Sequence, residues 1–84
     1  MYQVSVDEQS RAQIEALPAV ALAGFAEVRA VLELAPWGGE SLNVANPDAP
    51  VRTLAFGAAR EGLVTYLILE AQRRVDVLDV LWIG

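Results

Sequence analysis

The chain contains no cysteine, no histidine and no lysine in its 84 residues. Without cysteine there is neither a disulfide staple nor a thiolate nucleophile, so a hydrophobic core alone has to hold the fold. Lacking both cysteine and histidine, the chain has no usual ligand set for structural zinc. It equally has no Ser-His-Asp or Cys-His arrangement for nucleophilic catalysis. No metal and no cofactor is expected. The basic residues are six arginines, set against eleven carboxylates, and the net charge is −5. Nucleic-acid binders ordinarily show the opposite excess, because their cations displace counterions from phosphates. A role on nucleic acid would therefore rest on a local arginine group. A long uninterrupted apolar run is missing too. Leu17 to Leu34 comes nearest, but Glu27, Arg29 and Glu33 break it into an amphipathic pattern, unlike a membrane span. The N-terminus carries early charges instead of the basic start and apolar run of a signal peptide. A cytoplasmic protein with no membrane role is the expectation.

What is present is a 55% hydrophobic content, enough for one densely packed domain spanning residues 1–84. Tyr2 to Val6 alternates apolar and polar residues as a half-buried strand does. Asp7 is a natural N-cap for a following helix, and Glu8 lies where the helix dipole favours a carboxylate. Ser5 with Glu8 also matches a capping box, leaving the helix start open between them. This helix is expected to run to about Leu17 and to stop at Pro18. A longer helix follows, with Leu17, Val20, Ala21, Gly24, Phe25, Val28, Val31, Leu32 and Ala35 on one arc at the ~3.6-residue repeat. Gly24 within that arc suggests close approach to the first helix or to the sheet. Leu22 and Leu34 fall off the arc.

Pro36 to Pro50 is rich in Pro, Gly and Asn and reads as one long irregular segment. Its Gly-Gly pair has no lysine after it and no strand before it, so it is not a phosphate loop. Trp37 is expected to pack over the end of the long helix. Three strands follow: Val51–Gly57, Leu63–Glu70, and Arg74 or Val75 through Ile83, with short turns between them. The middle one is apolar on both faces, as in a central strand covered on both sides or one with a face in an interface. Asp76 and Asp79 point to opposite faces of the last strand and leave its register ambiguous. The fold class is α+β: an N-terminal strand, a two-helix hairpin, then a three-stranded antiparallel meander packed on the helices.

That order resembles the RelE/ParE superfamily of toxins from type II toxin–antitoxin systems. The opening YQVSVDEQSRAQIEALP is similar to the family's short strand, capped charged helix and Leu-Pro. VRTLAF and GLVTYLILE resemble its central hairpin, and VDVLDVLWIG takes the place of its last strand. The resemblance implies the toxin half of a toxin–antitoxin module, held inactive by a cognate antitoxin. Its target would be mRNA on the ribosome, cleaved without a metal, or alternatively DNA gyrase. A catalytically silent member that only binds its partner is a further reading. Arg52 matches a position where the family often has a base, and Tyr66 matches its central-strand Tyr. Leu63 and Val64 stand where an arginine usually precedes that Tyr, so Arg60 in the turn is its stand-in. For RNA cleavage, Arg52 and Arg60 would engage the phosphate and Tyr66 would transfer a proton. Leu22, Leu34, Arg73 and Arg74 are candidates for binding the partner. Homodimerisation through the Leu22–Leu34 patch or a sheet edge is the alternative use of that surface.

Overall fold

The computed structural model of the chain describes residues 1–43 and 45–84. The first strand, β1, covers Gln3–Val6. Asp7 then caps helix α1 (Glu8–Glu15), its carboxylate accepting from the Ser10 amide at 2.7 Å, which decides between the two possible helix starts. The helix ends two residues earlier than the periodicity suggests. Leu17 donates its amide to the Ile14 carbonyl at 3.1 Å and turns into the core. Pro18, extended at φ −67°, is the N-cap of α2 (Ala19–Leu34), a position where its missing donor is harmless.

The irregular segment contains more order than its composition indicates. A 3₁₀ turn, Pro36–Gly38, follows α2, and a two-residue strand, β2 (Glu40–Ser41), pairs with the next strand. The meander then runs through β3 (Val51–Phe56), β4 (Gly62–Leu69) and β5 (Arg74–Trp82). Both of its edges are extended, giving a five-stranded sheet in the order β1-β5-β4-β3-β2, with β1 parallel to β5. The expected α+β architecture is present, with β2 as the addition.

Both helices pack on one face of this sheet. The core joins Ala21, Phe25, Val28 and Leu32 of α2 to Phe56, Val64, Tyr66, Ile68, Val75, Val77 and Val80. Gly24 is where α2 meets the sheet: a Cβ there would lie 3.2 Å from the Gly57 amide nitrogen. Of the two contacts its position suggested, the sheet is the one made. Phe56 packs edge-on to Phe25, with ring centroids 5.9 Å apart, and beside Trp82 at 5.7 Å.

A β-bulge resolves the ambiguous register of β5. Val77 lies opposite Tyr66 and Asp79 opposite Thr65, so Leu78 is the extra residue. The phase slip lets Val75, Val77 and Val80 all face the core although 77 and 80 are three apart,. Helix α1 holds the irregularity in place. Gln13 accepts the Val80 amide at 2.9 Å and donates to Asp79 at 2.7 Å, while the buried Ser10 hydroxyl donates to the Val77 carbonyl at 3.2 Å. The other face of the sheet is open. Ala55, Leu63 and Leu81 are cross-strand neighbours there, and Leu63 and Leu81 remain 37% and 49% exposed. The two-sided apolar pattern of β4 is thus a core face (Val64, Tyr66, Ile68) backed by an open one.

Candidate functional site

Arg52 and Tyr66 are cross-strand partners on β3 and β4, on the core side of the sheet. Arg52 is only 8% exposed, and a buried cation needs partners for its donors. It finds them in the irregular segment. Its Nε donates to Ala49 O at 3.2 Å, and Nη1 donates to Trp37 O at 3.2 Å and Gly39 O at 2.9 Å. Nη2 donates to Pro47 O. Trp37 lies over the guanidinium, 4.8 Å from ring centroid to Cζ. This indole, in the turn that follows the long helix, covers Arg52 and donates to Glu70 at 2.8 Å. Arg52 therefore clamps the segment that connects α2 to β3.

Tyr66 is fully buried and donates its hydroxyl to the Pro36 carbonyl at 2.6 Å. Burial pushes its phenol above the ordinary tyrosine range, against the opposing effect of the Arg52 charge. In this state it is a neutral donor with its proton committed to the backbone. Gly39 packs against that phenol, since a Cβ at Gly39 would overlap the hydroxyl. Arg60 is not part of this group. It sits in the β3–β4 turn with φ 60°, past the far end of a strand that rises ~3.3 Å per residue. The structure brings together two of the three residues assigned to catalysis.

Arg73 and Arg74 go to separate carboxylates. Arg73, in the left-handed region at φ 51°, pairs with Glu70 at 2.8 Å and stacks 4.2 Å over the Tyr2 ring. Arg74 grips Asp76 through Nε at 2.8 Å and Nη2 at 3.1 Å. Each guanidinium is held further into its charged form by that carboxylate. Glu70 collects the Tyr2 hydroxyl, the Trp37 indole and Arg73. Hydrogen bonds from these three, Tyr2 first, lower its pKa to about 2. In return, accepting from Tyr2 makes that phenol harder to ionise. No spacing in the sequence signals this cluster, because Tyr2 and Glu70 are 68 positions apart. Leu22 and Leu34 both lie on the outer surface of α2, 47% and 69% exposed. Among the described residues no cluster of three His, Cys, Asp or Glu could hold a metal ion, and no helix is long and apolar enough to cross a membrane.

No protein-family model matches the chain, and no curated protein matches it by sequence. Solved structures do match its fold. The isolated RelE toxin of E. coli superposes with a TM-score of 0.80 at 10% identity, over 100% of this chain and 86% of that one. The intact E. coli RelBE toxin–antitoxin complex gives 0.79 at 10% identity, over 100% and 99%. The archaeal RelE–RelB complex from Pyrococcus horikoshii gives 0.68 at 18% identity, over 99% and 96%. The chain has the RelE-type toxin fold from end to end.

Proposed function

We propose that this chain, built on the RelE-type fold, is the toxin-type half of a toxin–antitoxin pair, and that it acts by holding its partner protein without cutting RNA. The whole-length agreement with RelE, which in two of the three structures above is in complex with RelB, supports the first half of this reading. The second half rests on the arginines. Stabilising a scissile phosphate takes cations aimed at the place where charge develops. Here Arg52 is occupied by backbone carbonyls, Arg73 and Arg74 by carboxylates, and Arg60 stands apart. The partner covers the open sheet face around Ala55, Leu63 and Leu81, with Leu22 and Leu34 on α2 as the second contact. The protein acts in the cytoplasm, on no cofactor.

The test is controlled induction of the chain in a bacterial host, alone and with its adjacent open reading frame. Normal growth, no new mRNA 5′ ends in translated messages, undisturbed plasmid supercoiling and co-purification with the neighbour's product are expected. Growth arrest accompanied by ribosome-dependent mRNA cuts would overturn the silent reading. It would favour the alternative in which Arg52 and Arg60 engage the phosphate and Tyr66 transfers a proton. Arrest with altered supercoiling would point to gyrase instead.

A further inference from the structure

We propose that the partner segment on the open sheet face is basic and aliphatic. It sets leucine-type side chains on two apolar rows of that face and cations on an acidic row between them. The proposal rests on the reading that the partner covers this face, and adds the chemistry by which it does so.

The sheet register lays the open face out in rows that cross the strands. Ala55, Leu63 and Leu81 are neighbours in one row. Val51 and Leu67 form a second. Leu63 and Leu67 are four positions apart on β4, so the two rows lie ~14 Å apart at ~3.4 Å per residue. Between them runs a row of another kind. Glu40 pairs with Thr53, Thr53 with Thr65, and Thr65 with Asp79. This polar line crosses from β2 to β5 and has a carboxylate at each end. With neighbouring strands ~4.8 Å apart, the backbone positions of the two acids are about 14 Å from each other. The β5 bulge completes the row, because it sets Asp79 opposite Thr65 and leaves Leu78 as the extra residue.

Charge decides what can lie on this face. Among the described residues the ion pairs are Arg73–Glu70 and Arg74–Asp76, so Glu40 and Asp79 are in neither. Gln13 donates to Oδ1 of Asp79, a bond from a neutral amide that leaves the carboxylate charged. The strand side chains here include three acids, Glu40, Asp76 and Asp79, against Arg74, which Asp76 already holds. The chain as a whole carries −5, so the long-range field has the same sign as the local one. Both repel a phosphate backbone or an anionic lipid surface, and both attract a cation. Apolar rows on either side of the acids suit the stems of lysine or arginine as well as leucine.

A sheet face offers an incoming chain no backbone hydrogen bonds, so a segment laid on it satisfies its own as a helix. Helix residues i and i+7 lie ~10.5 Å apart along one line, with i+3 and i+4 on either side of it. Leucines at i and i+7 then reach the two apolar rows, and lysines at i+3 and i+4 extend towards Glu40 on one flank and Asp79 on the other.

The experiment titrates the ¹⁵N-labelled full chain with a capped peptide containing Leu-Gln-Gln-Lys-Lys-Gln-Gln-Leu, stapled through its outward side to hold the helix. Two controls accompany it: the same peptide acetylated at both lysines, and one with both leucines replaced by glutamine. Amide shifts centred on Thr53, Leu63, Thr65 and Leu67 are expected. The acetylated peptide should bind roughly fivefold more weakly, as the loss of two exposed ion pairs gives. That difference should vanish at about 1 M salt, where the Debye length is ~3 Å. The leucine-free peptide should bind more weakly still. The Glu40→Gln/Asp79→Asn double variant should bind the charged and acetylated peptides equally, and the asparagine oxygen can still accept from Gln13. Equal binding of these two peptides by the wild type, on the open face, would overturn the basic character of the partner and leave the covered face standing. Shifts centred on the helices, or no binding by any of the three, would overturn the proposal together with the assignment of this face to the partner.

Discussion

Replacing Arg52 with methionine keeps much of the side chain's bulk while removing its charge and all five donors. Four carbonyls, on Trp37, Gly39, Pro47 and Ala49, then lose their partner. A hydrogen bond to a charged group contributes ~1.5–3 kcal/mol, and a simple sum over four would overstate the loss. Two effects reduce it: the outer carbonyls can take up water, and the desolvation penalty of the cation itself disappears. The remainder is about 2–4 kcal/mol, similar to the effect of breaking other buried charged networks. For a domain of this size each kcal/mol moves Tm by ~4–8 °C, so Arg52→Met should melt roughly 8–32 °C below the wild type. Circular dichroism would follow the melt, and tryptophan emission would report Trp37 losing the cation beneath it. Arg52→Lys should recover little of the loss, since one ammonium cannot fork to several loop carbonyls. A Met variant within ~0.5 kcal/mol of wild type, the range of ordinary surface substitutions, with unchanged emission would refute the clamp.

Three further outcomes follow from the geometry. Glu70 has its pKa lowered from 4.5 to about 2 on folding. Its contribution to stability is therefore present above pH 4.5 and lost as pH falls through about 2,. The urea midpoint of the wild type should drop more steeply over that window than that of Glu70→Gln. Gln13→Leu would strip the β5 bulge of its partner at the Val80 amide and should destabilise by ~1–3 kcal/mol, the penalty for an unsatisfied buried group; urea unfolding measures it. Arg60→Gly should stabilise by roughly 0.5–1 kcal/mol, because glycine adopts the left-handed conformation without the Cβ clash. If the wild type arrests growth, the same variant should arrest it equally, and a loss of arrest would return Arg60 to the functional site.

The strand and helix order is legible in the sequence because it rests on local signals. Period-two alternation marks Tyr2 to Val6, Asp7 caps a helix, and Pro18 separates two helices. β2 escapes that reading, since two residues carry no periodicity and its pairing with Arg52 and Thr53 is a tertiary event. The bulge at Leu78 escapes it for a related reason. Asp76 and Asp79 announce a conflict of register, but the partner that resolves it is Gln13, 66 positions from Asp79. The resemblance assigned Arg52 and Tyr66 to one site, and the sheet register makes them cross-strand partners. Whether an arginine faces solvent or the underside of a loop depends on where residues 36–49 fold back, which neither composition nor spacing encodes. Arg11 and Arg29 are 18 positions apart on separate helices, and only the packing of the hairpin against β1 lines one cleft with both.

The parallel pairing of β1 with β5 sets Val4 against Val75, so the first strand finds its hydrogen bonds only in the last. Closing so large a loop comes before any of its contacts can form, and such topologies fold slowly. During synthesis the helices, β3 and β4 emerge first, yet β1 stays unpaired until Arg74–Trp82 has been made. A fragment lacking β5 would deprive β1 and one side of β4 of partners at once and remove three buried valines from beneath the helices. Whatever the finished sheet binds, the growing chain is not yet equipped to bind it.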